Sequence, residues 1–551
     1  GDIVIYDIST CCIYNIKQHR NMTYKESTVF NIRSLFFVGA VSIIVSGCGG
    51  GSDTTPDPRS TEPTPTRPAP TPPSDLEPLE LLELIETQSK QYVLDSVRWI
   101  EEQQIDCTEQ AQAHEMCDVQ RVSFSDGQFE QSRTKQTQTI LVLDYGMDFH
   151  SVLRYRSRVK STYKYNPQSN SFVIDDPYIH TSKLGVKLLG EVNRFSITDE
   201  RFTQPQPTFV PAAWLTELSN KYRAVVPQDR YDRETNQAIY SHGVQVFGYL
   251  AQHNPQAEFV VIDTSTFTPF LNYKDALCNN DLATFSANMK SAARSLTAEI
   301  IEQYGVEFIN YSGGFTLESV EQALHQHGCQ DALNAEQRSQ FYMAIKPVYD
   351  ALFDASNTLA FHAGNEFAEQ SGDALDLIDY PNRIRVSYYS TKDKDTDLAP
   401  YGQSGWEKVF VDHQAYFNGS RSIDLFINLG YTPLVGGGEQ VTNSTPKMSP
   451  NTIGMSYVVD WNHYSSSWTT PVATSYAIHE QEKIAASTGD DLLGPQRLKS
   501  KLLAYDCLSV TEHMEHEALL AFIASANGIC KIQDPLRHKA DELNRIGYLS
   551  R

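Results

Sequence analysis

The 551-residue chain carries 45 Lys and Arg against 68 Asp and Glu, a formal net charge of −23, with 40% hydrophobic and 11% aromatic residues. That much apolar side chain is enough for a substantial core and excludes a wholly disordered polypeptide. The acidic balance argues against a general nucleic-acid binder, whose phosphate contacts need clustered Lys and Arg, and no apolar run reaches the roughly 18–20 residues of a membrane-spanning helix.

The first feature along the chain reads as an export signal. Leu35 to Val45 is apolar and too short to span comfortably, with Lys25 and Arg33 before it and Val45-Ser46-Gly47-Cys48 at its end. A charged region, an apolar region and a small-residue end are the parts of a secretory signal peptide. The last four residues resemble a bacterial lipobox, whose Cys receives lipid. That resemblance implies an anchor at Cys48, and so membrane attachment without a spanning helix. Gly49, rather than Asp, follows the Cys; by similarity to Gram-negative lipoproteins this implies the outer membrane or cell surface. Met22 stands at a suitable distance before the apolar run, so residues 1–21 are read as lying upstream of the translated start. Residues 49–74 hold eight prolines among Thr, Gly and Ser, a composition that buries no core and forms an extended spacer.

Asp75 to Asp106 predicts a helical extension, with Leu79, Leu82 and Ile85, then Tyr92, Val93, Val97 and Ile100, at helical spacing. Residues 75–138 are read either as a removable inhibitory propeptide, whose loss would release the folded part from its lipid, or as a structural extension. From Thr139 the pattern changes. Short apolar runs (Ile140–Leu143, Phe259–Ile262, Val306–Ile309, Leu359–Phe361, Ile384–Val386, Leu425–Ile427) alternate with amphipathic stretches that predict helices over Leu282–Tyr304 and Ser339–Ala355. Strands alternating with helices predict an α/β fold with a doubly wound, mostly parallel sheet, whose reacting groups gather at the carboxyl ends of the strands. The folded domain is read as 139–506, and residues 507–551 as an unassigned tail. Apart from Cys11, Cys12 and Cys48, six cysteines remain: Cys107, Cys117, Cys278, Cys329, Cys507 and Cys530. An even number in an oxidising compartment predicts disulfides, Cys107–Cys117 and Cys507–Cys530 being the local pairings.

Three separated pieces carry chemistry. Ile140-Leu141-Val142-Leu143-Asp144-Tyr145-Gly146 ends a buried strand with an acid, Tyr240-Ser241-His242-Gly243 opens an apolar helical segment, and Ser465-Ser466-Ser467-Trp468-Thr469-Thr470-Pro471 enters a helix. A Ser at a helix N-terminus has backbone N–H groups facing the negative charge that forms when it attacks a carbonyl. A His takes the Ser proton, its unperturbed pKa being near neutrality. A buried Asp fixes the imidazole tautomer and stabilises its cation.

In the order Asp, His, Ser, these pieces resemble the signature blocks of the subtilisin-like serine peptidases (subtilases, the S8 family). Ser241-His242-Gly243 with Val246 and Gly248 is similar to that family's His block, and Thr470-Pro471 to the Thr-Pro of its nucleophile block. Phe361-His362-Ala363-Gly364-Asn365 resembles its Ala-Gly-Asn segment, which implies that Asn365 donates to the oxyanion and that Ala363 and Gly364 border the substrate. Ile309-Asn310-Tyr311-Ser312-Gly313-Gly314 is similar to the strand edge along which the family lays peptide, with Ser312, Gly313 and Gly314 as substrate-binding residues. The resemblance covers about Thr139 to Asp506 and implies a catalytic Asp144, His242 and Ser467.

The chain departs from the family at several points. Ser465 and Ser466 stand where Gly-Thr is usual, Gln245 replaces the second His, and Trp468 replaces a smaller residue. The 98-position interval from Asp144 to His242 holds an insertion, about 149–239, expected to form a lid or extra specificity surface. The expected function is an exported, lipid-anchored serine endopeptidase acting on peptide or protein. The alternatives are a catalytically weak or inactive subtilase-fold surface protein that binds peptides, and another serine hydrolase such as an esterase, which the missing Gly-x-Ser-x-Gly elbow disfavours. Catalysis of this kind needs no cofactor. Calcium often stabilises subtilases, but the sequence offers no ligand set to assign, and His513 and His516 among Glu512, Glu515 and Glu517 lack the His-Glu-x-x-His spacing of a zinc helix. No nucleic-acid partner is expected, and the sequence gives no indication of oligomeric state. Replacing Cys48 by Ser should abolish incorporation of labelled palmitate and move the protein from the membrane to the soluble fraction; unchanged labelling would contradict the anchor.

Overall fold

The computed structural model of the chain describes residues 78–108, 114–124, 138–147, 152–210, 212–226, 242–255, 257–264, 269–365, 368–389, 423–428, 466–488, 493–503 and 530–533. The signal segment, Cys48, the linker, Cys507, His513 and His516 lie outside the described residues. Helix α1 (Pro78–Glu102) precedes strand β1 (Val119–Ser123), and then come β2 (Gln138–Asp144), β3 (Val159–Asn166), β4 (Ser171–Ile174) and β5 (Tyr178–Ser182). Helix α2 (Lys183–Asn193), a short pair β6 (Ser196–Ile197) and β7 (Gln206–Pro207), and α3 (Thr216–Val225) follow. The alternating part runs α4 (His242–His253), β8 (Ala257–Asp263), α5 (Lys274–Cys278), α6 (Leu282–Ser295), β9 (Phe308–Tyr311), α7 (Leu317–His327), α8 (Ala335–Met343), α9 (Lys346–Phe353) and β10 (Leu359–Ala363). It continues with α10 (Ala368–Ser371), α11 (Ala374–Leu377), β11 (Arg383–Tyr389), β12 (Leu425–Asn428), α12 (Ser466–Thr488), α13 (Pro495–Leu502) and β13 (Cys530–Gln533).

All seven residues of β2 are buried, which requires cover on both faces and a central place in a sheet. Among the described residues nine strands form that sheet, in the order β13-β12-β11-β10-β9-β2-β8-β3-β4. Every neighbouring pair is parallel except β3 and β4, which are antiparallel. Side chains alternate across the pleat. Ile140 and Val142 therefore join one core, with Phe259, Val261 and Phe361, while Leu141 and Leu143 join another, with Val260, Ile262 and Ala360. Helices α4 and α12 cover the first face; α6, α7 and α9 cover the second. The fold is α/β with a mostly parallel sheet flanked by helices, as the alternating pattern predicts.

Two helices differ from the sequence expectation. The segment read as one helix from Leu282 to Tyr304 is α-helical only to Ser295 and continues as a wider turn over Leu296–Glu302. The segment read as Ser339–Ala355 is two helices, α8 and α9, broken at Ala344 and Ile345. Pro347 is the cause: it has no N–H to give the preceding turn and restricts the residue before it, so it serves as the start of α9.

The N-terminal extension is built into the insertion. Strand β1 pairs antiparallel with β5, and the Cys107 N–H donates to Val225 O at the end of α3 (2.7 Å). Val93, Ile100, Ile105, Cys107 and Cys117 belong to the same core as Ile140 and Phe259. The insertion also contributes β3 and β4 to the main sheet. Two disulfides are present among the described residues, Cys107–Cys117 and Cys278–Cys329. The first is the local pairing the sequence suggests; the second spans 51 residues and has no local signature. Both sulfurs of the first sit in the core, so Cys117→Ala should lower stability by about 2–4 kcal/mol in urea denaturation, and an unchanged midpoint would show that the bridge does not constrain this flank.

Candidate active site

Asp144 ends β2 and is 4% exposed. Its Oδ1 accepts from the Tyr145 N–H (2.7 Å) and from His242 Nδ1 (2.6 Å). The chain brings these residues together through backbone. The Gly243 N–H donates to Tyr145 O (2.8 Å), docking the start of α4 on the turn after β2. A Cβ on residue 243 would lie 2.7 Å from that same oxygen, so only Gly permits the approach. In the tautomer that donates Nδ1–H to the carboxylate, Nε2 is the basic nitrogen of the ring. The imidazole is flanked by two aromatic rings, Tyr145 stacked at 5.2 Å and Trp468 tilted at 4.7 Å between centroids.

Ser467 is the second residue of α12 and is half-buried. Trp468, the next residue, places the start of this helix beside His242. The Thr469 and Thr470 hydroxyls donate to Ser466 O at 3.0 and 2.7 Å. Pro471 has no N–H for the carbonyl of Ser467 four residues earlier, so the first turn is held by side chains instead. Deeper in α12, Thr474 Oγ1 donates to Asn310 Oδ1 (3.1 Å), and Asn310 Nδ2 donates to Ser312 Oγ (2.9 Å). The helix bearing Ser467 is thereby tied to the end of β9. Asn254, just after α4, donates to Ser475 Oγ (2.7 Å) and ties it to the helix bearing His242.

Ser312, Gly313 and Gly314 follow β9, and Ala363 and Gly364 end the neighbouring β10. Gly313, with Asp144, Leu143, Thr264, Phe270 and Tyr311, borders a small, partly open hollow. Gly364 passes so close to Ile423 that a Cβ would lie 2.3 Å from its Cδ1. Asn365 comes next, but its amide is engaged: Nδ2 donates to Asp373 Oδ2 (2.5 Å) and, more weakly, to Ser371 Oγ (3.4 Å).

Charged groups that the sequence reading left out lie under this surface. Asp263 ends β8 in register with Asp144 and accepts from the Gly146 N–H (3.1 Å). Burial, with a smaller push from Asp144, raises its pKa to about 6 against two backbone N–H donors. His362, in β10, is fully buried beneath Gly314 and stacks on Tyr311 at 5.3 Å. Its Nδ1 lies 3.9 Å from Asp376 Oδ1. Burial drives the imidazole well below its ordinary range and pushes Asp376 up to about 7, although Arg383 and Arg385 pull the carboxyl down. Arg385 is bound in turn by Asp424, through Nε (2.9 Å) and Nη2 (2.7 Å). The sequence signal for this cluster was a charged residue inside an apolar run, as in Phe361-His362-Ala363 and Ile384-Arg385-Val386. Of the histidines near Cys329, His327 shares a hydrogen bond with Leu271 O (3.0 Å). Among the described residues no group of three or more His, Cys, Asp or Glu is gathered to hold a metal ion.

No protein-family model matches the chain, and no curated protein matches it. Among solved structures, the crystal structure of a lanthipeptide protease is similar over 68% of this chain and 82% of its own, with 13% identity and a TM-score of 0.28. A likeness that weak carries no weight for function, and the chemistry rests on the residues themselves.

Asp376 gives a pH-dependent prediction. Its folded pKa of about 7 exceeds its ordinary 3.8, so the folded state holds the proton more tightly and stability falls as pH rises between those values. Asp376→Asn removes that loss. Relative to the parent chain it should gain about 2–4 kcal/mol in urea denaturation on going from pH 4 to pH 8; the same difference at both pH values would mean that the carboxyl does not titrate in this window.

Proposed function

We propose that the chain is a serine endopeptidase of the subtilisin type, exported and held at the bacterial outer membrane or surface by lipid on Cys48. The observation that carries the peptidase reading is the 2.6 Å contact between Asp144 Oδ1 and His242 Nδ1 at the carboxyl end of the central strand. The helix start bearing Ser467 lies beside the same imidazole, through Trp468. In this reading Ser467, the residue before Trp468, supplies the hydroxyl that the Asp144–His242 pair activates.

In this reading, Ser467 Oγ attacks the peptide carbonyl while His242 Nε2 takes its proton, and Asp144 stabilises the resulting imidazolium. The oxyanion of the tetrahedral intermediate is received by the Ser467 N–H and Asn365 Nδ2. When the intermediate collapses, His242 protonates the leaving amine; water then attacks the acyl-enzyme by the same route. The substrate polypeptide lies along Ser312-Gly313-Gly314 on one side and Ala363-Gly364 on the other. The chemistry calls for no metal or organic cofactor.

A second reading, a peptide-binding scaffold with little or no turnover, draws support from the engaged amide of Asn365 and the Trp468 ring against His242. Labelling by a fluorophosphonate separates the two. The parent chain should label and should cleave casein, and Ser467→Ala should abolish labelling and lower cleavage by at least about 10⁴-fold. A parent chain that binds peptide but neither labels nor cleaves supports the scaffold; labelling that persists in Ser467→Ala assigns the nucleophile elsewhere.

A further inference from the structure

Asp144 and Asp263 end neighbouring parallel strands, β2 and β8, as register partners. Residues so paired lie on the same face of the sheet, about 5 Å apart. Here it is the face covered by α4 and α12, since Val142 and Val261, two residues earlier in each strand, belong to that core. Three successive N–H groups of the turn after β2 are divided between the two carboxylates. Tyr145 donates to Asp144 Oδ1 (2.7 Å), Gly146 to Asp263 Oδ1 (3.1 Å), and Met147 to Asp263 as well. Gly146 takes a φ of 70° in this turn, a conformation that favours glycine. The same turn offers Tyr145 O to the Gly243 N–H, the contact that docks the start of α4 and brings His242 to Asp144. Asp263 therefore acts on the imidazole in two ways, through the turn it holds and through its charge beside Asp144.

We infer that Asp263 is a positioning residue that holds the turn docking α4 and whose negative charge favours the imidazolium form of His242. Its value to catalysis rests on the peptidase reading, in which that cation forms as Ser467 attacks. Asp144 Oδ2 is buried with no hydrogen-bond partner among the described residues, so the Asp144 charge is poorly compensated. A second carboxylate on the next strand adds to the negative potential there, and the neighbouring group able to answer it by taking a proton is the imidazole. The described charged groups on the far side of Asp263 are Lys164, its register partner in β3, and Asp175, just after β4. These two bind each other (2.6 Å), so the lysine is already compensated and does not cancel Asp263. Burial first, and then Asp144, raises the Asp263 pKa to about 6 against its two N–H donors. Asp263 is thus an anion over most of the range in which an imidazole ordinarily exchanges its proton.

The titration of His242 tests this role in the full chain. With isotope-labelled histidine, and the His242 resonance identified by its loss in His242→Gln, Asp263→Asn should lower the imidazole pKa by about 0.5–1 unit. Asn keeps one oxygen to accept from the turn. Because the folded pKa of Asp263 is raised, its contribution to stability is lost as pH rises through that value, and removing the charge should raise the melting temperature at pH 8 rather than lower it. A purely structural role would lower the melting temperature and leave the titration where it was. With quenched casein as substrate, the acid limb of kcat/KM should move down by the same amount as the titration. If Asp263→Asn does not fold, Asp263→Ser is measured in its place. An unmoved or raised His242 pKa overturns the inference, and so does a cleaving parent whose acid limb stays in place in the variant. A parent chain that neither labels with fluorophosphonate nor cleaves casein overturns the peptidase reading, while the titration still decides whether Asp263 acts on the imidazole.

Discussion

The contact between Asp144 and His242 sets what the rest of the structure has to accomplish. It joins residues 98 apart in sequence, and it joins them in a site where a bare carboxylate would be expensive to bury. Two conditions make it possible. Strand β2 lies inside a parallel sheet, so its carboxyl end opens where several crossovers begin, and the turn after it presents a carbonyl that the Gly243 N–H can reach. Without glycine at that position α4 could not approach, and the imidazole would sit too far from the acid to be oriented by it. The backbone contact comes first, and the side-chain pair follows from it.

Helix α12, which carries Ser467, is held by a different kind of interaction. Buried hydroxyls and amides in α12 are satisfied by particular partners in β9 and just after α4, through Thr474 with Asn310 and Ser475 with Asn254. An apolar interface would tolerate sliding, because its energy depends mainly on area. These hydrogen bonds do not, since a shift of one residue would leave buried polar atoms unpaired, at about 1–3 kcal/mol each. The placement of α12 against β9 and the end of α4 is thus carried by polar groups. On the opposite face of the sheet, His362, Asp376 and Arg383 are buried, and His362 lies beneath Gly314.

Much of this arrangement was legible in the sequence, and the parts that were not share a cause. The central strands are near-continuous apolar runs because both of their faces are covered, and that pattern marked β2, β8 and β10 through their own residues. The insertion's strand β3, next to the edge strand β4, carries exposed lysines, Lys160 and Lys164, so the same criterion passed it over. Asp144, His242, Ser467 and Asn365 stood out because each occupies an element boundary with a characteristic neighbour: a strand end, a Gly, a Pro, another Gly. Asp373 has no such neighbour. Its hydrogen bonds to Asn365 and to the start of α7 relate three segments, which no local pattern encodes. Cys278–Cys329 was hidden for the same reason. The break at Pro347 is different, since a proline in the first turn marks a helix start by itself.

The most direct test of the central claim is a crystal structure of the parent chain after reaction with a fluorophosphonate. The account predicts a covalent bond from phosphorus to Ser467 Oγ, with His242 Nε2 within hydrogen-bonding distance of that oxygen and its Nδ1 still on Asp144. An adduct on another residue, or an imidazole turned away from Ser467 with Asp144 bound elsewhere, would contradict it.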